Sequence, residues 1–83
     1  MKVNYLTWIK DRLGISTEDI DLPLGVVTTG DLLDWFSTRS DQFKNTFSIR
    51  SSIYVSGDGR LLLQDEDIHQ FKTLTFFSPI VGG

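Results

Sequence analysis

The sequence contains no cysteine and only one histidine among its 83 residues. The lack of cysteine excludes disulfide bridges, thiolate zinc sites, iron–sulfur ligation and a cysteine nucleophile within these residues. The eight lysines and arginines are scattered singly and are outnumbered by eleven aspartates and glutamates, which gives a net charge of −3. A nucleic-acid interface needs a basic stripe, so this composition argues against nucleic-acid partners.

Long apolar segments are also missing. No run approaches the roughly 20 residues of a membrane span, and the first five residues lack the apolar region of a signal peptide. We therefore expect a soluble, cytoplasmic protein with no membrane contact. Hydrophobic residues still make up 40% of the chain, which is enough for one core in a chain too short for two domains.

Two strands are predicted at the start of the chain. Residues 2–8 are rich in β-branched and aromatic residues, which is typical of a strand. Residues 9–13 are too few for an independent helix, and we expect a single helical turn that ends at Gly14. Alternating apolar residues predict a second strand over residues 18–22.

The clearest helix signal follows at Thr28-Thr29-Gly30-Asp31, which matches a capping box. Apolar residues at helical spacing come next, and we expect this helix to end near Arg39. Ser40 can cap a second, short helix in which Phe43 and Phe47 fall on one face.

Three further strands are predicted in the second half of the chain. Residues 53–55 and 61–63 flank Gly57-Asp58-Gly59, a turn sequence suited to two antiparallel strands. The acidic run Asp65-Glu66-Asp67 is interpreted as a solvated connection, and the last strand is predicted to begin at about Thr73.

This order of elements predicts an α+β fold: a mixed sheet of about five strands with one main helix packed on one face. The long connection between the second and third strands lets the first and last strands lie side by side in the sheet centre. No linker is evident, so we expect one domain over residues 1–77 and a flexible tail over residues 78–83.

Few side chains offer reactive chemistry. His69 lies beside the acidic run in a predicted surface connection, where a general base would lack both a cavity and an orienting partner. The acidic run lacks the alternation of oxygens found in a calcium loop. The glycines at 57 and 59 lie between strands and do not precede a helix, so they form no phosphate site. We expect no metal site, no bound cofactor and no catalysis by this chain alone.

The last residues, Pro79-Ile80-Val81-Gly82-Gly83, leave two interpretations open. One is an ordinary frayed terminus. In the other, Pro79 stiffens the exit from the sheet, the two apolar residues offer anchors to a partner groove, and two residues without Cβ let the final carboxylate enter a narrow channel. Such a carboxylate could be adenylated and converted to a thioester or thiocarboxylate.

The ending Leu74-Thr75-Phe76-Phe77-Ser78-Pro79-Ile80-Val81-Gly82-Gly83 resembles that of the small subunit of molybdopterin synthase, a sulfur carrier with the ubiquitin-like β-grasp fold. The resemblance covers the whole chain in length and element order. It is supported near the start by Val3, Tyr5, Leu6, Lys10-Asp11 and Gly14.

The resemblance implies a sulfur carrier in molybdenum cofactor biosynthesis. A ubiquitin-activating-type enzyme would use ATP to adenylate the Gly83 carboxylate, and a sulfur donor protein would convert it to a thiocarboxylate. Sulfur would then pass to cyclic pyranopterin monophosphate within the large subunit of molybdopterin synthase, in a heterotetramer of two small and two large subunits. Gly82 would allow passage, and the implied partner-binding residues are Phe76, Phe77, Pro79, Ile80 and Val81.

The chain departs from the resembled pattern at Ser78-Pro79, where two prolines are usual, and we expect this change to loosen the tail. Two other readings of the Gly-Gly ending stay open: a sulfur carrier of the thiamine type and a ubiquitin-like protein modifier. The sequence Phe76-Phe77-Ser78-Pro79 favours the molybdopterin pathway, because carriers of the thiamine type are usually shorter and less aromatic before the tail.

Overall fold

The computed structural model describes residues 1–80. None of the helices in that range is long and apolar enough to cross a membrane. The elements, in chain order, are β1 Lys2–Tyr5, α1 Thr7–Leu13, β2 Thr17–Asp19, α2 Thr29–Arg39, α3 Asp41–Thr46, a 3₁₀ turn Arg50–Ser52, β3 Tyr54–Gly57, β4 Arg60–Leu61 and β5 Thr73–Phe77.

The five strands form one mixed sheet in the order β2-β1-β5-β3-β4. β1 and β5 are parallel and adjacent at its centre, with Val3 opposite Leu74 and Tyr5 opposite Phe76. The other strand pairs are antiparallel. The structure therefore confirms the predicted α+β class and the predicted central pairing of the first and last strands.

Aromatic side chains fill the space between the sheet and the helices. The alternation of β1 and β5 points Tyr5 and Phe76 into the core, where both are fully buried. They pack with three phenylalanines from α2, α3 and the residue that follows α3, at centroid distances between 5.0 and 6.3 Å. These three are Phe36, Phe43 and Phe47. One cluster thus joins the central strands to two helices.

The caps of α2 and α3 are those predicted. Thr28 Oγ1 accepts the Asp31 N–H at 3.1 Å, and the Asp31 carboxylate accepts the Thr28 N–H at 3.1 Å, which completes the capping box. Backbone hydrogen bonds from Thr28 and Val27 lower the pKa of Asp31. Ser40 Oγ accepts the Phe43 N–H at 3.2 Å and begins α3.

The first helix is longer than predicted. The sequence predicted a strand through Trp8 and a single helical turn, but β1 ends at Tyr5 and α1 occupies seven residues. A helix this short is marginal alone, and burial of Trp8, Ile9 and Leu13 stabilises it. Gly14 ends α1 with φ at +74°, as predicted.

The outer strands are shorter than predicted or shifted. β2 ends at Asp19, three residues before the predicted end at Leu22, and β4 contains two residues in place of three. The predicted turn between β3 and β4 is confirmed, with φ at +48° for Asp58 and +90° for Gly59. A Cβ on Gly57 would lie 2.6 Å from the Phe71 ring, so a side chain at this position would displace that ring.

A polar network links the sheet to α2. The Tyr5 hydroxyl donates to Glu18 Oε1 at 2.6 Å, and Arg39 donates to both Glu18 oxygens at 2.5 and 3.2 Å. Desolvation acts to raise the pKa of Glu18, but the hydrogen bonds from Arg39 and Tyr5 outweigh it and hold that pKa below its usual range. Burial, reinforced by Glu18, raises the pKa of Tyr5.

Replacement of Phe76 by alanine should destabilise the fold by about 3–5 kcal/mol, because the change leaves a cavity in the aromatic cluster. The neighbouring Phe77→Ala variant is the matched control, since Phe77 lies on the opposite face of β5 and is only half-buried. Urea unfolding of both variants measures the two losses. Equal losses would contradict the assignment of Phe76 to the core.

Glu18→Gln should reduce the free energy of unfolding at pH 7 by about 1–2 kcal/mol, because the ion pair with Arg39 is lost. The Glu18 pKa is depressed in the folded state, so its contribution is complete above the pKa of the unfolded chain and disappears as pH falls through the lower folded value. Urea unfolding from pH 7 to pH 3 should show the two proteins converging. A difference that stays constant over this range would contradict the prediction.

Candidate functional site at the end of the last strand

At the end of β5, the neighbouring residues Phe76 and Phe77 differ in burial. Phe76 is fully buried, so its side chain serves the core and presents no surface to a partner. Phe77 points to the opposite face and is half-buried. Of these two residues proposed for partner binding from the sequence, the geometry makes only Phe77 accessible.

Ser78 is attached to the body of the protein. It is 4% exposed, its N–H donates to Thr7 Oγ1 at 3.3 Å, and its Oγ accepts the Ile80 N–H at 3.2 Å. Ser78 therefore makes two hydrogen bonds at a position where a proline ring would fix φ, and the expectation that serine loosens the tail stays a prediction. Pro79 and Ile80 are exposed, as a segment that contacts a partner requires.

An apolar surface lies on the outer face of the sheet beside this exit. Tyr54 and Phe77 are opposite each other in β3 and β5, with ring centroids 5.9 Å apart in an edge-to-face arrangement. Leu61, opposite Ser56 in β4, is 59% exposed. Leu6 is also exposed, and its N–H donates to the Phe76 carbonyl at 2.9 Å. We call Leu6, Tyr54, Leu61 and Phe77 the outer patch.

The remaining residues assigned from the sequence are Val81, Gly82 and Gly83. They lie outside the described residues. Their assigned roles, with Gly83 as the reacting residue, Gly82 as the passage residue and Val81 as a tail anchor, stay predictions.

His69 has a partner that the sequence analysis did not anticipate. Its Nδ1 lies 3.2 Å from Asp67 Oδ1, and the same oxygen accepts the His69 N–H at 2.8 Å. His69 also borders an open depression of about 530 Å³ whose other lining residues include Phe71 and Lys72. The His69 ring is exposed and the Phe71 ring is partly exposed. The depression lies near the beginning of β5, at the opposite end of that strand from Phe77.

Two residues of the acidic run, Glu66 and Asp67, form hydrogen bonds with neighbouring residues. Glu66 accepts two hydrogen bonds from Arg60, at 2.8 and 3.2 Å, and these lower the pKa of Glu66. Asp67 orients His69, as described above. Within residues 1–80, no group of three histidine, aspartate or glutamate side chains is arranged to hold a metal ion.

No protein-family model matches the chain, and no curated protein matches its sequence. Solved structures do match over nearly the whole chain, and they define the class of the fold as ubiquitin-like β-grasp.

Two solved structures illustrate the likeness. SAMP1 from Haloferax volcanii aligns with a TM-score of 0.71 and 22% identity, covering 100% of this chain and 98% of that one. A Pyrococcus furiosus protein, provisionally described as molybdopterin converting factor subunit 1, aligns with a TM-score of 0.62 and 19% identity, covering 95% of both chains. At these identities the likeness shows the fold, and the predicted β-grasp is confirmed.

Proposed function

We propose that this protein is a sulfur carrier of molybdenum cofactor biosynthesis, with the Gly83 carboxylate as its reacting group. The observation that carries the proposal is the geometry at the end of β5. The strand delivers an exposed Pro79-Ile80 segment next to the outer patch, and this segment leads to Gly82-Gly83. The β-grasp likeness to a protein described as a molybdopterin converting factor subunit supports the choice of pathway.

The chemistry needs only the backbone carboxylate of Gly83. One carboxylate oxygen attacks the α-phosphorus of ATP on an adenylating enzyme of the ubiquitin-activating type, forming an acyl adenylate and releasing pyrophosphate. Hydrosulfide, supplied by a sulfur donor protein, then adds to the carbonyl carbon, AMP leaves with the electron pair of the broken C–O bond, and the thioacid loses its proton to solvent. The product is a thiocarboxylate, whose sulfur is the nucleophile toward the pterin precursor.

The work is divided between this chain and its partners. The body supplies a packed core that holds the exit of β5 in place, and the partners supply ATP, the substrate pocket and the groups that stabilise charge in the transition state. Glycine at 82 and 83 offers no Cβ to obstruct a narrow channel. The acceptor of the sulfur is cyclic pyranopterin monophosphate, bound by the large subunit of molybdopterin synthase in a heterotetramer.

The outer patch suits a protein partner. It contains two aromatic rings in contact and two exposed leucines at neighbouring backbone positions, and aromatic residues are enriched where protein interfaces bury most surface. Because the outer patch lies beside the end of β5, a partner bound to the patch would also contact the residues that follow Phe77. We therefore assign the large subunit to this surface, with Pro79, Ile80 and Val81 as anchors of the segment.

The carrier role is tested by incubating the full chain with such an adenylating enzyme, ATP and sulfide. We expect a mass gain equal to the replacement of one oxygen by sulfur, read by intact-mass spectrometry. A variant that lacks Gly82 and Gly83 is the control, and it should unfold at the same urea concentration but gain no mass. Conjugation of the chain to lysines of other proteins, with no thiocarboxylate, would favour a protein modifier and contradict the proposal.

The pathway is tested by expression in two strains, one lacking the carrier for molybdopterin and one lacking the carrier for thiamine. We expect recovery of molybdoenzyme activity in the first strain and no growth without thiamine in the second. Rescue confined to the second strain would move the protein to the thiamine pathway.

Phe77→Asp should weaken binding to the large subunit at least tenfold, because it places an unpaired charge in an apolar interface. Thr73→Asp is the matched control, since Thr73 lies on the same face of β5 at the end away from the exit. Calorimetric titration measures both affinities, and urea unfolding verifies that both variants remain folded. Equal weakening by the two variants would contradict the assignment of the interface to the outer patch.

A further inference from the structure

Thr7 has an uncommon backbone conformation. Its φ is +57°, in the left-handed region that β-branched residues rarely adopt. Among residues 1–80 the other non-glycine residue with positive φ is Asp58, which lies in the turn between β3 and β4, where aspartate is well tolerated. Backbone strain of this kind persists only where surrounding contacts fix it, and it concentrates at functional positions.

This conformation places the Thr7 hydroxyl between two backbone groups. Oγ1 donates to the Leu6 carbonyl at 2.7 Å and accepts the Ser78 N–H at 3.3 Å. The hydroxyl has one hydrogen, which is used on Leu6, so a lone pair faces Ser78. Because Ser78 is buried, its N–H would lose its hydrogen-bond partner without Thr7.

A third hydrogen bond extends this arrangement along the exit. Ser78 Oγ accepts the Ile80 N–H at 3.2 Å. Pro79, between them, has no N–H to satisfy and has a fixed φ. The backbone is therefore restrained at three successive residues after β5, by two hydrogen bonds and one ring. A proline at 78 could not make the first of these bonds, since it lacks the N–H donor.

We propose that Thr7 and Ser78 form a clasp that sets the direction in which the chain leaves the body, and that Thr7 is a positioning residue for delivery of Gly83 to the adenylating enzyme. The positioning role rests on the proposed carrier function. The clasp restrains the segment that begins at Ile80 before it binds. Less conformational entropy is therefore lost when this segment enters a partner channel. Without it, a smaller fraction of encounters places the carboxylate at ATP.

The test uses Thr7→Val, which keeps the branched shape and removes the hydroxyl, and Thr7→Ser, which keeps the hydroxyl. Amide hydrogen exchange of the full chain reports the clasp directly. In Thr7→Val the Ser78 amide should exchange about fivefold faster or more, while the Phe76 amide is unchanged and Thr7→Ser behaves as wild type. Ser78→Ala is a second variant, in which the Ile80 amide should exchange faster. Unchanged exchange at Ser78 in Thr7→Val would overturn the clasp.

The same proteins are then assayed for thiocarboxylate formation at limiting carrier concentration. We expect kcat/KM to fall about three- to tenfold in Thr7→Val and to return to the wild-type value in Thr7→Ser. Faster exchange with an unchanged kcat/KM would overturn the positioning role and leave the carrier function standing. No thiocarboxylate on the wild-type chain would overturn the carrier function and the positioning role together, while the exchange data would still decide whether the clasp exists.

Discussion

Parallel pairing of β1 with β5 is the constraint on which the rest of the structure depends. It brings the first and last strands to the centre of the sheet, where their inward residues meet the aromatic cluster. A strand that is hydrogen-bonded on both sides and packed on the helices cannot shift register without exposing buried residues. The position of the end of β5, and of Ser78 after it, is therefore fixed by the sheet and the core.

The same pairing explains why the exit and the start of α1 are neighbours. Tyr5 lies opposite Phe76, so the next residues of both strands emerge together at one end of the sheet. The Leu6 N–H donates a hydrogen bond to the Phe76 carbonyl, and Thr7 Oγ1 accepts a hydrogen bond from the Ser78 N–H. The segment proposed to carry sulfur thus begins at a residue, Ser78, that is hydrogen-bonded to the start of α1.

Much of this architecture was predictable because its signals are local. The Thr28–Asp31 capping box, the left-handed Gly14 and the strand from Thr73 each depend on a few adjacent residues, and the structure confirms all three. The length of α1 was not predictable in this way, because tertiary burial of Trp8 and Ile9 outweighs the short length of the segment. Nor was the Asp67–His69 contact, since it depends on the conformation of the connecting loop.

The candidate site shows the same division. Exposure of Ile80 follows from its position beyond the last strand, whereas burial of Phe76 and partial exposure of Phe77 depend on which face of β5 meets the helices. The pairing of Thr7 with Ser78 joins residues 71 positions apart, and no local pattern in the sequence indicates it. The sequence therefore predicts a reacting segment from its composition, and the structure adds the contacts made by Ser78 and Ile80 at the beginning of that segment.

The central claim is that the chemistry of this protein resides in a backbone carboxylate and that the folded body contributes no reacting side chain. The most direct measurement is the position of the new sulfur atom in the activated chain, read from the fragment spectrum of the tryptic peptide that follows Lys72. The account predicts sulfur on the carbonyl carbon of Gly83 and an unmodified body. Sulfur or AMP attached to a side chain within residues 1–80 would contradict it.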